Sequence, residues 1–205
     1  MTMNAKYLKY TLLALALIAT GTSQANAQAG RFMETGTMAK APVGHVGFCQ
    51  ENPAECEPDG KGAVVVKLDR ERWNELIAIN TEVNDRIRPV TDIELFGVEE
   101  YWTYPVDGAG DCEEYVLEKK RVLLNRGWPA SALLITVVKD TNNAGHAVLT
   151  VRTDQGDVIL DNQIEAVLPW YSAPYRFVKR QSVSHPAKWA AISDLRTSTL
   201  ASIGN

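Results

Sequence analysis

Three short runs, "ALLITVVK" (132–139), "HAVLTVRT" (146–153) and "DVILDN" (157–162), do most to limit what this chain can become. They are rich in β-branched residues, and the last two are joined by the turn signal "DQGD". "PYRFVKRQS" (174–182) supplies a further strand, and "KWAAISDLR" (188–196) reads as a weak terminal helix. Upstream the periodicity is helical. Asp69 caps a helix whose apolar positions Trp73, Leu76, Ile77, Ile79, Val83 and Ile87 fall mostly on one side, with Pro89 just past its end. A second helix starts after Asp111, with Tyr115, Val116, Val122 and Leu123 as core positions, and stops at Asn125 to Gly127. Helix, helix and then antiparallel strands is an α+β order, with helices packed on one sheet. Residues 91–110 read as an irregular aromatic connection, and residues 28–62 as an extended N-terminal arm.

The start of the chain speaks to compartment. Lys6 and Lys9 precede the apolar run "YTLLALALIATG", which is too short to span a bilayer, and Ala25-Asn26-Ala27 has the A-x-A form of a cleavage site. Residues 1–27 are therefore expected to be a secretory signal peptide, which makes the protein exported and periplasmic. The leader holds two lysines and no acid, so the remainder is more acidic than the formal charge of −4 of the whole chain. With no basic-aromatic cluster either, the chain does not read as a nucleic-acid binder.

Export gives the three cysteines meaning. Cys49 and Cys56 bracket a polar, proline-containing loop, "FCQENPAEC", that closes as a disulfide in an oxidising compartment. His45 adds a zinc reading, but three ligands do not complete a structural site and the spacing fits no usual finger. Cys112 is left over in "GAGDCEEYVLEKK". With Asp111 as N-cap it is the first helical residue, where unpaired N–H groups and the macrodipole favour a thiolate. Gly108 and Gly110 beside it read as room for a substrate backbone. Asp111, Glu113 and Glu114 oppose thiolate formation unless they face away or a cation neutralises them. Of the three histidines, His146 begins a strand and is the candidate base; His45 lies in the arm, and His185 reads as part of a surface turn. Asp161 closes the next strand, at the same sheet end, and can orient the imidazole.

Together these residues resemble a family. Gly-Asp-Cys-Glu-Glu-Tyr at 110–115, preceded by Tyr101, Trp102 and Pro105 and followed by "GH" at 145–146 and "LDN" at 160–162, is similar to the bacterial transglutaminase-like cysteine proteinases. The resemblance covers about residues 43–180. It implies a papain-like core of the transglutaminase type, a peptidase domain over 63–205, and Cys112, His146 and Asp161 as nucleophile, base and orienting acid. Asp111, Glu113 and Glu114 match acids that bind calcium in LapG-type members, although the family pattern has Asp where this chain has Glu114. Such members are periplasmic proteases that clip large surface adhesins in biofilm control, under an inner-membrane receptor for cyclic di-GMP. Two other readings use the same residues: acyl transfer to an amine by the same triad, or an exported binding module with an incidental thiol.

Overall fold

The structure, a computed structural model, describes residues 30–196, so the leader expected over 1–27 lies outside it. Its elements are β1 (Thr35–Ala39), α1 (Val43–Glu51), a 3-10 turn (Pro53–Cys56), α2 (Arg70–Arg86), β2 (Arg88–Pro89), α3 (Asp92–Phe96), β3 (Ala109–Gly110), α4 (Cys112–Asn125), β4 (Leu133–Lys139), β5 (Gly145–Thr153), β6 (Gly156–Leu160), β7 (Leu168–Pro169), β8 (Arg176–Ser182) and β9 (His185–Ile192). Seven strands form one sheet in the order β1-β9-β8-β4-β5-β6-β7, every neighbouring pair antiparallel. β2 and β3 make a small parallel pair at the mouth of α4.

Both predicted helices form, and their ends follow from their caps. The Asp69 carboxylate accepts from Arg72 N–H at 2.9 Å. Asp111 and Glu114 close a reciprocal capping box around the first turn of α4. The sheet alternates as strands should. Ile135, Ala147, Leu149, Val151 and Leu160 face α2 and α4, joining Leu76, Ile79, Val83, Val116 and Leu123 in the larger core. Val138, Val148 and Ile159 face the other way, where Met33, Trp170, Tyr175 and Phe177 cover them. With both faces covered, the central strands are buried nearly throughout.

Several sequence expectations need correction. Of the extended arm expected over 28–62, the described part is packed instead: β1 pairs with β9, and α1 puts His45 and Phe48 into the core. "KWAAISDLR" is no helix. Most of it lies in β9, held between β8 and β1 with Trp189 buried, so pairing on both edges overrides a weak local preference. His185 is the first residue of that strand rather than part of the turn before it. The connection at 91–110 contains α3, opened by a Thr91–Glu94 capping box. Ile77, placed on the apolar side of α2, is 41% exposed.

Candidate active site

Cys112 is the first residue of α4, half-buried, and the free cysteine among the described residues. Cys49 and Cys56 are joined, with sulfurs 2.03 Å apart. His45 does come close, its Nδ1 3.6 Å from Cys49 Sγ, but the two sulfurs are bonded to each other and offer no thiolates. His45 is instead a core residue, set edge-on to Trp102 and Trp189 and accepting from the Gln181 amide at 3.0 Å. Burial first, then the Lys120 charge, lower its pKa to about 4, so it is neutral.

Two strands bring the other expected groups together. His146 pairs with Val138 near the start of β5, and Asp161 follows the end of β6. His146 Nε2 lies 2.8 Å from Asp161 Oδ1, both side chains nearly fully buried. The carboxylate only accepts, so Nε2 carries the proton and Nδ1 presents its lone pair, toward which the Gln163 amide donates at 3.2 Å. Asp161 is held from several sides. Tyr175 Oη donates to its Oδ2, and the Tyr175 ring stands edge-on to His146 with centroids 5.5 Å apart. Gln163 N–H donates to Oδ1 at 3.1 Å. Two asparagines one turn apart on α2 grip its main chain, Asn80 Oδ1 accepting from Asp161 N–H at 3.1 Å and Asn84 Nδ2 donating to its carbonyl at 2.9 Å. Burial pushes the Asp161 pKa up, but the hydrogen bonds from His146, the Tyr175 hydroxyl and the Gln163 N–H outweigh it and hold the group below the usual carboxylate value. The sequence reading missed Asn80, Asn84, Gln163 and Tyr175. Asn80 and Asn84 carried a weak signal, being polar residues at i, i+4 beside the apolar stripe of α2.

The thiol itself is quiet in this arrangement. Burial, then the Glu113 charge and a 2.9 Å hydrogen bond from Sγ–H to Glu113 Oε2, raise the Cys112 pKa well above its ordinary value. The main-chain N–H of Ala147, next to His146, opposes this in part. The glycines have a different use from the one read in sequence. A Cβ on Gly110 would lie 2.5 Å from Glu114 Cβ, so its bareness makes room for the capping glutamate, and Gly108 adopts a left-handed φ of 66°.

The acids around Cys112 divide into two groups that share Asp111. Glu113 turns to the thiol, whereas Asp111 and Glu114 meet Asp92 from α3, with ligand atoms within 4.8 Å of one another. Asp92 was not singled out in the sequence. Glu114 accepts from Asp111 N–H at 2.9 Å and Thr103 N–H at 3.1 Å, and Asp92 Oδ2 accepts from Tyr101 N–H at 2.5 Å. Asp92 Oδ1 and Asp111 Oδ1 are buried with no partner. Burial and mutual repulsion raise the pKa of Asp92 and lift that of Glu114 to about 8; burial foremost lifts that of Glu113 to about 9. Converging, partly unsatisfied carboxylate oxygens suit a hard cation.

A nucleophile candidate at a helix start beside a His–Asp pair at one sheet end marks a cysteine-peptidase architecture, and comparison agrees. The family model of the bacterial transglutaminase-like cysteine proteinases matches residues 35–197, so the chain belongs to that family and is a cysteine peptidase. Among solved structures it is similar to Legionella pneumophila LapG at 29% identity, over 58% of this chain and 68% of that one, with a TM-score of 0.49. Calcium-bound LapG from the same organism matches at 24% identity over 67% of this chain and 77% of that one, TM-score 0.50. EGTA-treated LapG matches at 29% identity over 56% and 64%, TM-score 0.47. The fold is accordingly the mixed helix and antiparallel-sheet architecture of the transglutaminase type. No curated protein sequence matches.

Proposed function

We propose that this protein hydrolyses peptide bonds with Cys112, His146 and Asp161. The observation that carries the reading is the buried His146–Asp161 pair at 2.8 Å, its histidine on β5, the strand against which α4, the helix opened by Cys112, packs. Asp161 fixes the ring so that Nδ1, which accepts from the Gln163 amide at 3.2 Å, is the unprotonated nitrogen and the base. His146 takes the Cys112 proton as sulfur attacks the scissile carbonyl, then returns it to the leaving amine. The Cys112 main-chain N–H, unpaired at the first turn of α4, is a donor for the oxyanion. Water attacks the resulting thioester, His146 acts again as base, and the acid product leaves. Tyr175, Asn80 and Gln163 are positioning residues that keep Asp161 and the ring in place.

Asp92, Asp111 and Glu114 would hold a calcium ion, with Glu113 adjoining through Asp111. The unpartnered oxygens Asp92 Oδ1 and Asp111 Oδ1 support this fit, as does the calcium-bound state of Legionella pneumophila LapG. A bound cation offsets the carboxylate charge beside the thiol. By family likeness, and by the leader read over 1–27, the setting is the periplasm and the substrate a large surface adhesin, under an inner-membrane receptor for cyclic di-GMP. The test is mass spectrometry of an adhesin N-terminal fragment incubated with wild type and Cys112→Ala, calcium present, with a labelled amine in a parallel arm. Cleavage by wild type alone supports the proposal; incorporation of amine without cleavage overturns hydrolysis in favour of acyl transfer.

A further inference from the structure

A cleft of about 250 Å³ opens between the turn after the disulfide and the β4/β8 end of the sheet. It is separate from the His146–Asp161 pair, and Lys120 in its lining is eight residues along α4 from Cys112, about 12 Å at helical rise. Leu133, in its wall, pairs with Val151, five residues along β5 from His146, or about 17 Å at strand rise. Lys120, from α4, lines it and is only 6% exposed. Its ammonium gives one N–H to a neutral acceptor, Gln181 Oε1 at 3.0 Å, and among the described residues it has no ion-pair partner. Glu55 acts on it only at a distance. A cation so placed is costly unless an anion completes it.

The rest of the cleft has the chemistry to accept one. Ser131 Oγ accepts from Val64 N–H at 3.0 Å and keeps its own proton to donate. Ser182 and Ser184 share a single 2.9 Å bond, which leaves one hydroxyl proton free. Leu134, Val183 and Pro186 make the remaining wall apolar. Asp59, the acid at the rim, is exposed and already accepts from Lys61 N–H at 3.0 Å. One ammonium, a few hydroxyls and carbon walls suit a monoanion with a short apolar body better than a multiply charged phosphate.

We propose that this cleft binds a small carboxylate with an apolar tail, its oxygens on Lys120 and the serine hydroxyls. The test uses thermal melting and titration calorimetry at pH 7 and matched ionic strength, with butyrate and its neutral isostere butyramide, on wild type and Lys120→Met. Butyrate should raise the melting temperature saturably in wild type, butyramide should not, and the variant should bind butyrate about tenfold or more weakly. N-acetylalanylalanine and its C-terminal amide repeat the comparison with a peptide end. Binding of either acid but of neither amide sustains the proposal and tells a free acid from a peptide terminus. Amide NMR on wild type needs no variant to fold: shifts must centre on Ser131, Gln181, Ser182 and Ser184. No saturable effect, an equal effect of the amides, an unaltered Lys120→Met, or shifts centred elsewhere overturns it.

Discussion

Tyr175→Phe is the sharpest probe of the site, because it removes one hydroxyl and keeps the ring that packs on His146. The lost donor leaves Oδ2 of Asp161, a residue 2% exposed, as a buried charged acceptor without its partner. That costs about 1–3 kcal/mol, or about 2–12 °C in melting temperature for a domain of this size. The pH dependence has a definite sign. The folded pKa of Asp161 is depressed, so its contribution to stability is present above the unfolded value of about 3.9 and is lost as pH falls through the folded one. Removing a hydrogen bond that helps depress it moves the folded value up, so acid unfolding of the variant begins at higher pH. A looser acid also lets the imidazole tilt; a loss of about 1.4 kcal/mol at the transition state is tenfold in kcat, with KM little changed. Circular-dichroism melts from pH 3 to 7 and steady-state cleavage, on wild type, Tyr175→Phe and the double variant with Asp161→Asn, read these effects. If Tyr175→Phe melts and turns over like wild type across that range, or if its effect is undiminished in the Asp161→Asn background, Tyr175 does not act through Asp161.

Cys112→Ala should abolish proteolysis by several orders of magnitude while melting near wild type, since the side chain is small and only half-buried; retained cleavage on gels would remove the thiol mechanism. Thiol titration of denatured, unreduced exported protein should find one free thiol, because Cys49 and Cys56 are bonded; three would contradict the pairing. Asn80→Ala should destabilise by about 1–3 kcal/mol in urea titration, because it strips the partner from the buried Asp161 N–H. EGTA should lower the melting temperature, by about 2.7 kcal/mol of linkage if calcium stood at a hundred times its dissociation constant, and magnesium should restore it poorly. A melting curve indifferent to EGTA would leave the acids as helix-start residues alone.

The parts of the fold legible in sequence were those with strong local signals. Asp69 and Asp111 announce the two helices through capping, and the alternation in 132–162 announces the sheet. The parts that were not legible depend on partners remote in sequence. β9 exists because β8 and β1 flank it, and β1, exposed for most of its length, exists because β9 offers an edge. In the site, residue types and order suggested Cys112, His146 and Asp161, but no local pattern reveals that Tyr175 would reach Asp161 or that α3 would carry Asp92 to Asp111. Gly110 shows the same limit. Its reading as substrate clearance was reasonable locally, and only the folded-back Glu114 shows what the missing Cβ accommodates.

The crowding of acids around a nucleophile candidate follows from the helix start itself. Position N1 offers free N–H groups and a positive dipole end, which favour a thiolate and carboxylates alike. Here the carboxylates take much of that offer. Glu114 accepts from the Asp111 and Thr103 N–H groups, Glu113 holds the thiol proton, and the sulfur is left protonated. Under the proposed function a cation held by Asp92, Asp111 and Glu114 would gate the peptidase electrostatically, relieving the charge that opposes the thiolate while strands, Tyr175 and α2 keep His146 and Asp161 in place. Chelation should accordingly depress turnover without disturbing the His146–Asp161 pair. That makes the imidazole resonances of His146 the discriminating observable: unchanged by EGTA if the gate is electrostatic, displaced if the cation holds the fold of the whole site.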